Sequence, residues 1–124
     1  MKKTVLIILS IIFTYILTVT IPSCQYKNQD ELFCDTTRVT YSGTIIPILQ
    51  TNCYRCHGTS SNSGSGGIIL QDYSVLQTYA ADGKLYGNVA HLSGYIPMPY
   101  DGGSLTHCEI LKIKNWVDKG YPNN

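Results

Sequence analysis

The feature that most constrains the fold of this chain is the pentapeptide Cys53-Tyr54-Arg55-Cys56-His57, which has the form C-x-x-C-H. Two thiols at this spacing can form thioether bonds to the two vinyl groups on one edge of a porphyrin, and the motif is typical of c-type haem attachment. The histidine that follows is carried beneath the ring, where one of its nitrogens can bind the iron. The sequence therefore predicts one covalent haem c, attached through Cys53 and Cys56, with His57 as an iron ligand.

Three other interpretations of the C-x-x-C pair stay open at this point. A thioredoxin-like redox pair is usually found in a strand–helix–strand setting, and no such alternation surrounds Cys53. A structural zinc site needs four ligands, usually as two spaced pairs. No second C-x-x-C is present, and the residues left to complete such a site are His91, His107, Cys34 and Cys108. The third interpretation is a chance match in a chain that has five cysteines.

The N-terminal residues predict export. Lys2 and Lys3 form a basic start, and residues 5–21 then carry no charge. This apolar run is short for a membrane-spanning helix, which needs about 20 apolar residues, and it has the shape of a secretion signal. Residues 1–23 are therefore expected to act as a signal peptide that exports the rest of the chain.

The apolar run ends in Ile21-Pro22-Ser23-Cys24, which resembles the lipobox of bacterial lipoproteins. In that class of protein the signal is cleaved before the cysteine, which is then acylated. Pro22 departs from the small residue that is usual at its position, so an uncleaved N-terminal anchor is the alternative. Residues 24–39 are mostly polar. They are expected to be a lipidated tether that holds the exported domain at a bacterial membrane, facing the periplasm or the outside.

Two cysteines remain, Cys34 and Cys108. With Cys24 assigned to lipid and two others to haem, they form an even pair in an oxidising compartment, where disulfides form and persist. We expect a disulfide that ties the segment before the domain to the start of the last helix. Two buried free thiols are the alternative.

Length and charge narrow the function further. Residues 24–124 are enough for one small domain. The chain has nine Lys or Arg and eight Asp or Glu. Because Lys2 and Lys3 lie in the signal, the exported part carries a net charge of about −1. The lack of a basic excess argues against nucleic acid as a partner and against strong electrostatic steering toward an acidic one.

Helical patterns begin near Thr40, where the domain is expected to start. Ser42 or Thr44 can cap a first helix, and Pro47 falls near its first turn, where a missing N–H costs least. Apolar residues then recur at helical spacing up to the C-x-x-C-H motif. Residues 58–67 contain no apolar side chain, which predicts a flexible surface loop.

Two shorter helices are predicted after this loop. Asp72 and Ser74 are candidate caps for a helix over 73–80, and residues 85–91 can form another, which Gly87 weakens. The sequence has no strand-rich region and no internal repeat. The predicted fold class is therefore mainly α, with long irregular loops.

The last helix has the clearest boundaries in the sequence. Thr106 and Glu109 form a capping box of the form T-x-x-E, and Leu105 and Ile110 stand at the positions of a hydrophobic staple. Gly120 follows the apolar pattern and predicts the C-terminal cap. This pattern predicts an amphipathic helix at the end of the domain.

Met98 is the candidate for the second axial ligand of the iron. It lies between Pro97 and Pro99, which hold the local backbone extended and exclude it from a helix. A stiff segment of this kind can hold a thioether against the iron. A methionine packed in the core is the common alternative role. His91 is the rival ligand, because His107 falls inside the cap of the last helix.

Several of these features together resemble one family. The C-x-x-C-H motif, a glycine-rich loop, a Met-Pro pair followed by glycines and a closing amphipathic helix with Trp116 are similar to the small monohaem class I cytochromes c of bacterial lipoproteins. The similarity covers about residues 39–124. It implies a cytochrome c-like helical domain, residues 40–124, wrapped around the haem. It also implies that the first and last helices cross beside the haem edge, near Gly43 and Trp116.

The resemblance implies a role for individual residues as well. Cys53 and Cys56 would be the thioether attachments, His57 the proximal ligand and Met98 the distal ligand. One departure from the family pattern is Tyr100, which stands where a second proline is usual after the Met-Pro pair. This departure leaves the ligand in place but alters the turn that follows it.

The function implied is that of an electron carrier rather than an enzyme. The protein would be a monomer, held to the membrane by its lipid anchor, that passes single electrons between redox partner proteins of the cell envelope. A second hypothesis is a haem enzyme or a gas- or peroxide-reactive haem domain whose distal site is open or ligated by His91. A third is a zinc-stabilised surface binding module without redox function.

Overall fold

In a computed structural model of the chain, the described residues are 33–60 and 64–124, together with positions 3, 5, 7 and 8. Most of the predicted signal peptide, and Cys24 with it, therefore lie outside the described residues. Within the described ranges the chain is mainly helical and contains no β-strand, which confirms the mainly α class. In the same ranges, no helix has both the length and the apolar character needed to cross a membrane.

The domain begins with a helical segment in two parts. A π-helical turn, Tyr41–Ile45, continues directly into helix α1, Ile46–Asn52. Thr40 has an extended backbone, and its hydroxyl oxygen accepts a hydrogen bond from the Gly43 amide at 3.2 Å. Thr40 therefore caps the segment. Ser42 and Thr44, the two caps predicted from the sequence, both lie inside the π-helical turn. The prediction of the cap is therefore wrong.

The C-x-x-C-H motif forms a short helix of its own, α2, Tyr54–His57. Cys53 separates α2 from α1. Its amide donates to the carbonyl of the buried Leu49 at 2.8 Å, and its carbonyl accepts from the His57 amide at 2.8 Å. Residues three and four apart on a helical turn share one face. The motif is thus attached to the end of α1, with its two cysteines and its histidine on one side.

The segment after the motif is only partly the surface loop that was predicted. Positions 61–63 of the predicted 58–67 loop lie outside the described residues. In the remainder, Gly58 and Ser65 are buried, which departs from the prediction. A Cβ atom added at Gly58 would lie 2.6 Å from the carbonyl oxygen of Tyr54. The chain therefore leaves α2 through a position that only glycine can fill.

Two further helices occupy the middle of the domain. Helix α3, Tyr73–Ala81, begins at Asp72, whose carboxylate accepts from the Ser74 amide at 2.8 Å, as predicted. Helix α4 spans Lys84–Val89 and is shorter than the predicted helix. It stops because His91 has a φ of 51°, and this left-handed backbone cannot continue a right-handed helix.

The last helix, α5, spans His107–Asp118. The predicted capping box is confirmed: the Thr106 amide donates to the Glu109 carboxylate at 2.8 Å, and the Glu109 amide donates to the Thr106 hydroxyl at 3.2 Å. Gly120 has a φ of 80° and its amide donates to the Val117 carbonyl at 2.9 Å. This left-handed glycine ends the helix where the sequence predicts.

The first helical segment packs against α5. The rings of Tyr41 and Trp116 stack with their centroids 5.8 Å apart, and the Tyr41 amide donates to the side-chain oxygen of Asn124 at 2.9 Å. The largest fully buried side chains are Trp116, Ile45, Leu49, Leu76 and Ile113. The two ends of the domain therefore meet in its core.

A disulfide joins Cys34 to Cys108, with the two sulfur atoms 2.08 Å apart. This is the pairing that the sequence predicts. Because Cys108 lies in the first turn of α5, the bridge ties the segment before the domain to the last helix. The chain between α2 and α5 contributes most of the lining of a cavity.

Candidate functional site

A cavity of about 510 Å³ separates the C-x-x-C-H motif from the segment that carries Met98. This volume falls within the usual range for small-molecule and cofactor sites, roughly 300–1,000 Å³. All four residues that the sequence predicts to hold a haem line it, namely Cys53, Cys56, His57 and Met98. The fold therefore brings the predicted site residues together, although the methionine lies far from the motif in the sequence.

The rest of the cavity lining is mostly apolar. These apolar residues come from the loop after the motif, from α3 and α4, and from the segment before α5: Ile68, Leu70, Tyr79, Leu85, Val89, Ile96, Pro99, Tyr100 and Leu105. Four of these residues, Leu70, Leu85, Val89 and Leu105, are buried in the core. Such walls exclude water and favour a large apolar group between them.

The two motif cysteines are free thiols that differ in exposure. Cys53 is half-buried, and this burial, with a smaller contribution from the Glu109 carboxylate, raises the pKa of its thiol to about 11. Cys53 is therefore protonated at neutral pH. Cys56 is exposed. Both residues line the cavity, and Cys56 is the more exposed of the two.

His57 is held in a defined orientation by a carbonyl group that the sequence did not reveal. Its Nδ1 atom lies 3.0 Å from the carbonyl oxygen of Ile68. Because a carbonyl can only accept, Nδ1 carries a proton, and in the neutral imidazole Nε2 then keeps its lone pair. The Leu70 amide donates to the His57 carbonyl at 2.9 Å. Metal-binding histidines usually have such a partner on the second ring nitrogen.

Both backbone groups of Met98 are hydrogen-bonded, one to the last turn of α4 and the other to His91, just after that helix. Its amide donates to the carbonyl of Asn88 at 3.0 Å. Its carbonyl accepts from Nε2 of His91 at 3.0 Å. The side chain of Met98 is half-buried and lines the cavity. The methionine predicted as second axial ligand therefore faces the cavity that the motif also lines.

The two rival ligands are placed differently. His91 is exposed and is not part of the cavity lining, and its ring is used in the contact with Met98. His107 is exposed at the start of α5 and does not line the cavity either. Of these three candidates, Met98 is the one at the cavity.

An ion pair joins the two sides of the cavity. Arg55, within the motif, pairs with Asp101, which follows the Met-Pro segment, and both residues line the cavity. The hydrogen bond between them raises the pKa of Arg55 and lowers the pKa of Asp101. Sequence reasoning missed this pair because the two residues are 46 positions apart. Only the return of the chain across α3 and α4 brings them together.

The donor set at the cavity fits a covalent haem. Two free thiols lie on one face of a short turn, beside an imidazole with an available Nε2 atom, and a thioether lines the same apolar cavity. A zinc site would lose two of its candidate ligands, because Cys34 and Cys108 are bound to each other in a disulfide. Over residues 33–60 and 64–124, no group of three or more His, Cys, Asp or Glu side chains is placed to hold a metal ion.

Comparison of the chain with protein-family models, with curated proteins and with solved structures finds no match in any of the three. A functional assignment therefore depends on the motif and on the geometry of the cavity.

Proposed function

We propose that this protein is a monohaem c-type cytochrome that carries single electrons at the cell envelope. One observation supports this most strongly: the two motif cysteines, the motif histidine and Met98 line a single apolar cavity. When bound, haem supplies an iron that alternates between the ferrous and ferric states. The protein's part is to attach, orient and shield that group.

Each residue of the set has a separate task in this proposal. Cys53 and Cys56 would hold the haem covalently through thioether links. His57 would bind the iron through Nε2, while its Nδ1–H stays on the Ile68 carbonyl, which would make the imidazole a better donor. Met98 would supply a thioether ligand, which would favour the ferrous state and raise the reduction potential relative to ligation by two histidines.

The apolar lining contributes to the same function. Leu70, in the loop after the motif, and Leu85 and Val89, on α4, are buried and line the cavity with apolar surface. A low-dielectric surrounding disfavours the additional positive charge of ferric iron and should raise the potential further. These residues therefore support electron transfer without a change of ligands.

The location at the envelope is proposed from the N-terminal sequence. Acylation of Cys24 would leave residues 24–39 as a tether between the membrane and the domain. Confinement to a surface raises the effective concentration near membrane-bound redox partners. The disulfide between Cys34 and Cys108 is in keeping with an oxidising compartment.

Covalent haem content tests the proposal directly. The chain is expressed with haem-maturation machinery, and haem is measured by staining a denaturing gel and by the pyridine haemochrome spectrum. The double variant Cys53→Ala/Cys56→Ala should lose all covalent haem. The matched control Cys34→Ala/Cys108→Ala removes two cysteines outside the cavity lining and should retain it. A correctly matured parent protein without colour or iron would overturn the proposed function.

Ligation by Met98 is tested separately. The parent should be low-spin in the ferric state, with the weak absorption band of a methionine–iron bond, and the ferrous form should bind carbon monoxide poorly. Met98→Ala should keep its covalent haem and bind carbon monoxide readily. Equal binding by the parent and this variant would exclude Met98 as the ligand: ready binding by both would favour an open distal site, and poor binding by both would favour another ligand such as His91.

A further inference from the structure

His91 occupies an unusual backbone position just after α4. Its φ of 51° is uncommon for any residue other than glycine, although histidine is among the side chains that adopt it more often. Residues held in such conformations are found where the surrounding structure requires them. The turn sends the chain back along α4, since the Leu92 amide donates to the Gly87 carbonyl at 3.0 Å.

The same turn directs the imidazole of His91 at Met98. Nε2 of His91 lies 3.0 Å from the Met98 carbonyl oxygen, and because that oxygen can only accept, Nε2 carries the proton. The Asn88 carbonyl accepts from the Met98 amide at 3.0 Å and from the His91 amide at 3.3 Å. Asn88, His91 and Met98 therefore form a closed ring of three hydrogen bonds.

We propose that His91 is a positioning residue for Met98: its Nε2–H holds the Met98 carbonyl and thereby sets the approach of the thioether to the iron. This inference rests on the proposed haem function. It gives His91 a task other than that of a rival ligand. Without the imidazole donor, Met98 keeps one backbone hydrogen bond, to Asn88, in place of two, and the segment that carries it can swing away from the cavity.

Three variants separate the donor from the backbone turn. Asn and Gly both adopt positive φ readily, but His91→Asn is too short to reach the carbonyl and His91→Gly has no donor. His91→Gln keeps a side-chain N–H of longer reach and serves as the rescue variant. His107→Asn is the matched control, because it removes an exposed histidine that does not line the cavity.

The readout is carbon monoxide affinity of the ferrous, haem-loaded protein, together with hydrogen exchange of the Met98 amide. His91→Asn and His91→Gly should raise the apparent affinity by roughly three- to tenfold, the factor that corresponds to one net hydrogen bond. Both should speed exchange at Met98 without changing exchange at Trp116. In His91→Gln, the carbon monoxide affinity and the exchange rate at Met98 should return toward those of the parent. His107→Asn should match the parent in both measurements.

The outcomes distinguish this inference from the proposed function. If Met98→Ala opens the iron to carbon monoxide but neither His91→Asn nor His91→Gly does, the positioning role is overturned and methionine ligation stands. If the two donor-free variants open the site and His91→Gln does so equally, the donor role is overturned. If Met98→Ala behaves as the parent, or the matured parent carries no haem, the proposed function itself fails.

Discussion

The two sides of the cavity are built in different ways. On the motif side, α2 follows the first helical segment, residues 41–52, in which Ile45 and Leu49 are fully buried and which packs on α5. On the methionine side, residues 91–97 are all exposed, with Ile96 at 60 %. Burial of apolar surface stabilises the first side, whereas the second depends on a few individual contacts. We therefore expect the ligand on the methionine side to be released first under stress.

The contacts on the methionine side are specific and few. Besides the hydrogen bonds of Met98, the ring of Tyr95 lies directly against Gly87, so that a Cβ atom added there would be 2.5 Å from the ring. The ion pair of Arg55 and Asp101 reaches across from the motif. Loss of one such contact should change access to the iron more than it changes global stability.

The largest expected effect is a loss of stability from a substitution on the motif side. Trp116→Ala removes a side chain with no exposed surface and should lower the free energy of unfolding by about 3–5 kcal/mol. Leu92→Ala is the matched change on the other side, where the residue is 42 % exposed, and it should change stability by about 0.5 kcal/mol or less. Chemical denaturation of the matured protein measures both. Similar losses for the two variants would remove the contrast between the two sides.

The disulfide should give the next largest effect. Replacement of Cys34 and Cys108 by Ala releases the segment before the domain from α5 and should lower the free energy of unfolding by about 2–4 kcal/mol. Denaturation curves of the double variant and the oxidised parent provide the measurement. The carbon monoxide affinity should not change, because the bridge lies outside the cavity lining. A change in carbon monoxide affinity without a loss of stability would contradict the expectation that the disulfide stabilises the fold but does not control access to the iron.

Gly87→Ala should act on the methionine side. The added methyl group would displace the Tyr95 ring, at a cost of about 1–3 kcal/mol for overpacking, and should raise carbon monoxide affinity by loosening the segment that leads to Met98. The control is Gly103→Ala, where an added Cβ has its closest contact at 3.4 Å. The double variant Gly87→Ala/Tyr95→Ala removes the clash and tests whether overpacking is the cause. No change in affinity in Gly87→Ala would show that the contact does not restrain Met98.

The smallest effect is expected from the exposed ion pair. Asp101→Asn should raise carbon monoxide affinity slightly, and added salt should diminish the difference from the parent. The hydrogen bond with Arg55 lowers the pKa of Asp101 from 3.8. The stabilising contribution of the ion pair is therefore fully present above pH 3.8 and is lost as the pH falls below that value and the carboxylate is protonated. The difference in carbon monoxide affinity between the parent and Asp101→Asn should therefore also vanish at acidic pH. Asp118→Asn, which breaks the pair with Lys114 on α5, is the control and should not affect access to the iron.

Much of the fold could be predicted from the sequence where the signal is local. The capping box at Thr106 and Glu109, the cap at Asp72 and the left-handed glycine at Gly120 are all present in the structure. Each depends on residues within a few positions of one another, so that the chemistry of a short stretch decides the outcome. The cap of the first helical segment was predicted wrongly, because several neighbouring hydroxyls could serve and Thr40 has the extended backbone that a cap requires.

The sequence by itself determined the chemistry available to this protein: a C-x-x-C-H motif, a methionine between two prolines and one further pair of cysteines. The tertiary structure alone decided how those groups are held. It placed the Ile68 carbonyl at hydrogen-bond distance from His57 and the His91 ring at hydrogen-bond distance from the Met98 carbonyl. It also brought Asp101 into an ion pair with Arg55. The physical reason is that such contacts depend on the path of intervening loops. Local conformational preferences leave that path open, and it is the packing of the helices around the cavity that selects it.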